Sequence, residues 1–550
     1  MDQKFFQEGP RLENQFRTDP WLQSFLKEKI PVDLQTQWRP LLEKLGADAG
    51  GCLFQWADQA ERHPPTHIPF DAWGKRVDQI ETSEAWKKLS DYAATHGLIA
   101  EGYERRHGAW SRVLQMSLLY LYHPSSAIFS CPLAMTDGAA RALEVYGDED
   151  LKRTALKNLT SRDPKKFWTS GQWMTEKTGG SDVGLSLSRA EKTAHGYALY
   201  GSKWFTSATT SQMAMTLARP NGAEAGGRGL SLFYVELRDA NGDLQNIRIE
   251  RLKNKLGTKA LPTAELELTG TPARLLGGEG GGVKKISTLF NITRIYNAVC
   301  AVGYMRRALA LLQDYARRRR VFGKLLSEQP LHAATILPMW SWTWACSEFV
   351  FEVVRLWGRE DAGEATDEDK ALLRLYTPLA KLYTGKKVAA LTSEAIEAFG
   401  GAGYVEDTGL PKILRDAQVL SIWEGTTNVL SLDTLRALTR ECPLSVWSAN
   451  IRQQAKALND HAAGTALLAH VDQLEKTATV LLTQADAQQA EARHLAFALT
   501  EISMAALMCT RAQNSADESV HLVARFLLTQ LKPFVAAPEE HWRQSMRLWC

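Results

Sequence analysis

Four short segments carry residue types that chemistry needs. Residues 174–183 (MTEKTGGSDV) set two adjacent glycines between the hydroxyls of Thr175 and Ser181. Adjacent glycines let a backbone approach a ligand closely. An ordinary loop entering a β domain accounts for the same residues. Lys203 to Ser207 (KWFTS) follows the turn-like Gly201-Ser202. A strand with Trp204 and Thr206 on one face can hold a flat ring and hydrogen-bond its edge. A strand with a buried tryptophan is the plainer reading. Residues 317–324 (RRRRVFGK) offer four cations for a phosphate. Cations also suit the end of an apolar helix, although four exceed what the helix dipole needs. The last segment, Leu420 to Asn428 (LSIWEGTTN), sets Glu424 beside Ile422 and Trp423. A carboxylate among apolar neighbours is a candidate general base. The structural alternative is an acid before a helix capped by Thr426 or Thr427.

Three kinds of element must position these segments. Residues 1–165 read mainly as helix, with proline breaks at Pro64-Pro65 and Pro69 and a polar connection at Gly147 to Asp150. The period changes near residue 168. Ala264 to Leu268 (AELEL) alternates apolar and charged residues, and Gly229 to Leu237 (GLSLFYVEL) is aromatic and aliphatic. Short strands separated by turns predict an antiparallel sheet or barrel. Helix returns after the run Gly277 to Gly282, which reads as a flexible hinge because it lacks a P-loop ending. Val302, Met305, Leu309, Leu312 and Ala316 then form one apolar face. Leu372, Leu375, Leu379 and Leu382 repeat it, and Gly400-Gly401 stops that segment. Residues 440–550 are again helical in pattern.

The chain has 550 residues, 45% hydrophobic and 23% charged, which predicts about three to four domains at ~150 residues each. Its net charge of +3 gives a dedicated nucleic-acid binder no compositional support. The seven cysteines form no CxxC pair, so a disulfide framework or structural zinc site is not expected, and a reducing cytoplasm fits. The twelve histidines show no HExxH or Cys/His metal spacing. Residues 1–8 lack the apolar run of a signal peptide, and no run of ~20 apolar residues predicts a membrane span.

Taken in order and spacing, MTEKTGGSDV, KWFTS, RRRRVFGK, EAFGGAGY (397–404) and IWEGTTNV (422–429) resemble the acyl-CoA dehydrogenase superfamily. The opening from Phe6-Gln7 through Pro10 to Asn14, with the helical tail, is similar to its AidB-type branch. The resemblance implies an α+β multidomain fold. A helical domain at 1–165 precedes an antiparallel β domain at 166–280. A helical catalytic bundle follows at 281–438, and an extra helical domain at 439–550. It implies bound FAD, held by Met174, Thr175, Ser181, Trp204, Thr206, Gly400, Gly401, Thr426 and Asn428. Arg319 and Phe322 would reach a neighbouring subunit's FAD in a homotetramer built as a dimer of dimers. Glu424 would be the base that takes the α-proton of an acyl-CoA while a β-hydride passes to flavin N5. Ser181, Arg294 and Trp423 would line the substrate site. An electron-transfer flavoprotein would be the electron acceptor.

Some positions depart from the family pattern. Glu397 stands where a glutamine usually touches the FAD pyrophosphate, and an acid beside phosphate repels it unless an arginine intervenes. Val321 replaces a threonine, and Trp423 stands where tyrosine is common. Some members carry the base just before an arginine on a helix. Here that position is Thr293, before Arg294, so the alternative location holds no carboxylate, in keeping with the Glu424 that the resemblance implies. The branch also admits a DNA-associated flavoprotein. Residues 441–550 hold nine Lys/Arg against eleven Asp/Glu, which argues against DNA binding by the tail and leaves a basic patch assembled across subunits from Arg317 to Arg320 as the other route. An acyl-CoA-binding flavoprotein with little turnover is the third reading.

Overall fold

The computed structural model describes residues 9–549. Phe6 and Gln7 of the AidB-like opening therefore lie outside the described residues. The chain folds as two compact units. One holds residues 44–106 and 114–296; the other holds the described residues up to 43, 107–113 and those from 297 onward.

The first unit is built around a β-sheet. Strands Arg189–Thr193, Gly196–Ser207, Thr263–Leu276, Ser231–Glu236 and Met213–Pro220 pair successively, and the last also pairs with Arg189–Thr193, so the sheet closes on itself. Ser170–Trp173 and Ile247–Leu252 add at its flanks. The pairings are antiparallel except two: Met213–Pro220 runs parallel to Ser170–Trp173 and to Arg189–Thr193. This corrects the purely antiparallel expectation. Those strands are joined by long connections, and only a tight hairpin enforces the antiparallel sense.

Period-2 alternation sorts the strand side chains. Along Met213–Pro220, Ala214 and Ala218 join one core with Leu199, Phe233, Val235 and Leu266. Met213, Met215 and Leu217 face a second core with Leu143, Ala155, Ile286 and Leu289. The strand is thus covered on both faces, and it reads as a continuous apolar run. In AELEL, Ala264, Leu266 and Leu268 are buried, while Glu265 turns outward to Lys253 and Arg251.

Two local expectations change. The helical reading of residues 1–165 is interrupted by the hairpin Thr66–Phe70/Arg76–Glu81, directly after Pro64-Pro65. Buried Asp78 anchors it, 2.9 Å from His67 Nε2 and accepting from Arg76 Nε at 2.7 Å. Arg76 also donates to the Ile249 carbonyl. The glycine run 277–282 is pinned rather than free. Lys285 Nζ donates to the carbonyls of Gly278 and Gly280, and the N–H groups of Gly280, Gly281 and Gly282 bond Ser231, Arg228 and Leu230.

The second unit is helical. It contains the C-terminal part of Gly282–Ala316, the long helices Pro330–Asp361 and Asp367–Phe399, and Leu410–Val419 and Thr427–Arg440. Both apolar faces read from the sequence are buried. Beyond residue 440 come Leu444–Lys456, His461–Leu481, Ala485–Asn514, Glu518–Gln530 and Glu539–Trp549. Buried Arg511 ties this tail down, donating to Glu348 at 2.5 Å, Glu28 at 2.7 Å and Ser24 at 2.9 Å. Ala485–Asn514 is long and apolar enough to cross a membrane by length and composition, with 72% of its apolar window buried in the protein. A core helix in a bundle has the same composition.

Candidate active site

In the sheet-containing unit the fold joins two motifs that the sequence separates by about twenty residues. The Trp204 N–H donates to the Thr175 carbonyl at 2.9 Å. Next to it, Glu176 and Lys203 form a buried ion pair at 2.8 Å. Glu176 also accepts from the hydroxyls of Ser186 and Ser188 and from the Leu187 N–H, while Lys203 donates to the Leu217 carbonyl. Burial works to raise the Glu176 carboxyl, but the Lys203 ammonium and the serine hydroxyls outweigh it and hold it at about 2. Burial pulls the Lys203 ammonium below its ordinary value, and the Glu176 carboxylate opposes that loss only in part. The Glu176 carboxyl therefore stays ionised at neutral pH.

This pair fixes the root of an exposed loop. Glu176 and Gly179 exchange backbone hydrogen bonds, closing a tight turn that needs Gly179 at φ +123°. Lys177 through Ser181 are exposed. The Ser181 hydroxyl thus stands at the surface, whereas the Met174 side chain packs into the core. Trp204 is half-buried, with Lys253 Nζ 3.5 Å from its ring centroid and Lys177 Nζ at 5.7 Å. Thr206 is buried and donates to the Ala264 carbonyl at 2.8 Å, which leaves its oxygen free to accept. In the same unit Arg294 lies 3.5 Å from Asn291, one helical turn away, and the Thr293 hydroxyl bonds the carbonyls of Leu289 and Phe290.

The helical unit carries the other motifs. Gly282–Ala316 ends just before the four arginines. Arg318 pairs back with Asp314. Arg320-Val321 and Lys324-Leu325 then form a two-residue hairpin. Phe322 and Gly323 turn it with φ +49° and +80°, the signs that match strand twist. Phe322 is 97% exposed at its tip, and Arg319 is exposed beside it. At the end of Asp367–Phe399, Gly400 and Gly401 are exposed, and a Cβ built on either meets nothing within 4 Å. Glu397 is also exposed.

Glu424 sits at a sharp turn between Leu410–Val419 and Thr427–Arg440. Its φ is +55° and that of Gly425 is +103°. A non-glycine residue there costs of order 1–3 kcal/mol unless its surroundings hold it. Three neighbours do. Lys381 Nζ donates to the Gly425 carbonyl at 2.5 Å. The Asn297 amide, with its oxygen toward the ring, accepts from Trp423 Nε1 at 2.5 Å and donates to the Leu420 carbonyl at 3.2 Å. Thr426 caps the following helix by accepting from the Val429 N–H. Glu424 itself is half-buried beside Trp423, while Thr426 and Asn428 are exposed at the start of the helix.

Residues 280–439 match the acyl-CoA dehydrogenase C-terminal domain, residues 171–271 the middle domain, and residues 10–164 the adaptive response protein AidB N-terminal domain. Acyl-CoA dehydrogenase family member 11 of Caenorhabditis elegans is 43% identical over 531 residues, 93% of this chain and 86% of that protein. The chain belongs to the acyl-CoA dehydrogenase family. Within that family, the putative acyl-CoA dehydrogenase AidB of Escherichia coli (strain K12) is 33% identical over 392 residues, 70% of each chain. The crystal structure of Caenorhabditis elegans ACDH-11 in complex with C11-CoA matches with a TM-score of 0.96 at 40% identity, across all of this chain and 97% of that one.

Sequence reasoning singled out the candidate contact positions, of which Met174 and Thr206 are buried, but missed what supports them. Glu176 and Lys203 fall inside the recognised motifs, yet nothing local says that they pair. Lys381, Asn297 and Gly385 lie in helices that read as plain core. A charged residue amid the apolar run Leu375 to Leu382 was the available signal, because buried lysines are rare unless held.

Gly385 gives a prediction with an unusual sign. A Cβ there would lie 2.7 Å from the Leu420 carbonyl oxygen and 3.3 Å from Ser421 Cα. Glycine to alanine in a helix interior normally stabilises by up to about 1 kcal/mol. Gly385→Ala will instead destabilise by roughly 1–3 kcal/mol, as overpacking does. Chemical denaturation of the variant beside its parent measures this; an increase in stability would show that the turn yields to the methyl group.

Proposed function

We propose that this protein is an FAD-dependent acyl-CoA dehydrogenase that forms an α,β double bond in an acyl-CoA thioester, with Glu424 as the base. The observation that carries the reading is the Glu424 turn. A strained backbone held by three neighbours presents one carboxylate, half-buried beside an indole. That is the preorganisation a base needs to remove a weakly acidic α-proton.

Each unit holds residues that suit part of a flavin dinucleotide. The Gly179-to-Ser181 loop offers exposed backbone and a hydroxyl, and Gly400-Gly401 offers backbone with open space above it. Thr175 and Trp204 would contact the ring system, Thr426 and Asn428 would add polar contacts, and Thr206, fully buried, would support the strand from beneath. Met174 can contribute only its main chain, since its side chain is in the core. Glu397, being exposed, can turn away from a phosphate. Bound FAD would supply the acceptor for the β-hydride. Glu424 would take and hold the α-proton, Trp423 would restrict water beside it, and Arg294 and Ser181 would contact substrate.

The finer parts of the proposal are a homotetramer, an electron-transfer flavoprotein acceptor and a cytoplasmic location. An almost fully exposed phenylalanine at the tip of a two-residue hairpin supports a subunit contact, with Phe322 and Arg319 reaching a neighbour's FAD. The free thiols of the six described cysteines suit a reducing compartment.

Anaerobic titration with saturated acyl-CoAs, including C11-CoA, tests the reaction. Bleaching of the oxidised flavin band is expected. A spectral shift without bleaching would favour an acyl-CoA carrier. No response across the panel would reject the dehydrogenase reading, and salt-dependent DNA binding would then be measured.

A further inference from the structure

We propose that Lys381 is a positioning residue for the base, acting through the Gly425 peptide; this rests on Glu424 being that base. Lys381 lies midway along Asp367–Phe399 and is 1% exposed. Burying an ammonium is costly, so its retention needs a role that an apolar side chain cannot fill. Its ammonium donates to the Gly425 carbonyl at 2.5 Å. Gly425 is the most permissive link in the turn, because glycine alone takes its φ of +103° readily. A carbonyl held by a charged donor fixes the orientation of the 425–426 peptide. That in turn fixes the exit of the chain from Glu424, whose own φ of +55° offers little restoring force toward this geometry.

The same helix face makes the seat. Gly385 is one turn beyond Lys381, and i, i+4 positions share a face. Its missing side chain lets the Leu420 carbonyl and Ser421 approach the helix directly. Lysine and glycine therefore act together: the glycine admits the turn and the lysine locks its far end. Asn297 holds the near end through Leu420 and Trp423. Glu424 lies between these holds, so release of either one changes where its carboxylate is carried.

The test uses the FAD-loaded protein, C11-CoA, and the variants Lys381→Met, Lys381→Gln and Glu424→Gln. Rapid anaerobic mixing reads flavin reduction, and equilibrium titration reads C11-CoA affinity. A small displacement of a reacting group costs about 10²-fold in rate. Lys381→Met, without a donor, should reduce flavin about 10²-fold more slowly, with FAD content and C11-CoA affinity within about threefold of parent. Lys381→Gln keeps an N–H donor and should recover at least about tenfold of that loss. A parental rate in Lys381→Met, with a slow Glu424→Gln, overturns the role of Lys381 alone. A parental rate in Glu424→Gln overturns the base assignment and this role with it. Loss of FAD and affinity in step with rate makes Lys381 a core group only and also overturns the proposal. If Lys381→Met does not fold, Lys381→Gln is read against parent: a slower rate at unchanged affinity supports the role, and a parental rate or failure to fold overturns it.

Discussion

Glu424→Gln will bind acyl-CoA at nearly parental affinity and reduce its flavin roughly 10²–10⁴-fold more slowly, the range lost when a positioned general base is removed. Glutamine preserves the length and planarity of the side chain, so the turn should survive. The backbone supports this expectation: Lys381, Asn297 and Thr426 hold the Gly425 carbonyl, the Trp423 ring, the Leu420 carbonyl and the Val429 N–H. The amide cannot accept a proton at neutral pH, so the chemical step fails while binding remains. Stopped-flow bleaching and equilibrium binding on one preparation separate the two. Equal losses in both would mean that the substitution collapsed the turn; unchanged bleaching would mean that another group takes the proton.

The second large effect belongs to the Glu176–Lys203 pair. Removing one partner of a buried ion pair strands the other and costs about 3–5 kcal/mol. Glu176→Ala would also leave Ser186, Ser188 and the Leu187 N–H without their shared acceptor. Hydrogen exchange over residues 175–188 should therefore accelerate by about 10²-fold or more, and the variant should lose FAD on gel filtration. Glu176→Gln combined with Lys203→Met removes both charges and should recover most of the protection, because a neutral pair avoids the stranded ion. Parental exchange in Glu176→Ala would show that the pair does not hold the loop.

The pair also sets an acid limit. The Glu176 carboxyl is held at about 2 in the folded chain against an ordinary value of 4.5. Its contribution is fully present above pH 4.5 and is lost as pH falls through about 2. The difference is worth roughly 3 kcal/mol. Stability of the parent should therefore fall more steeply between pH 4.5 and 2 than that of the doubly neutral variant. Parallel slopes would place the acid-labile group elsewhere.

Much of the fold was legible where side-chain period is strict. AELEL alternates because only one face of its strand meets the core, and Val302 to Ala316 repeats at helical spacing because one stripe is buried. The glycine run 277–282 was misread because glycine composition reports permissiveness, whereas the constraint comes from Lys285, Ser231, Arg228 and Leu230. The hairpin at 66–81 was missed because its anchor, Asp78, acts through Arg76 and Ile249, the latter 171 residues away. The two parallel pairings were likewise invisible, since no local turn announces them.

For the candidate site, the sequence by itself named the groups proposed to react and to make contact: one carboxylate in IWEGTTNV, a glycine loop with hydroxyls, an indole strand and an arginine hairpin. It also set glycine at 179 and 425, where positive φ is a local demand that residue type answers. Only the tertiary structure decided how those groups are held. It joined Thr175 to Trp204 and paired Glu176 with Lys203, and it placed Lys381 and Gly385 beneath the Glu424 turn. It also sent the Met174 side chain into the core and engaged the Thr206 hydroxyl with Ala264. The reason is physical. Chemical capacity and backbone permissiveness belong to single residues and their neighbours in sequence. Burial, charge pairing and the direction of a hydrogen bond depend on which distant segment arrives beside them.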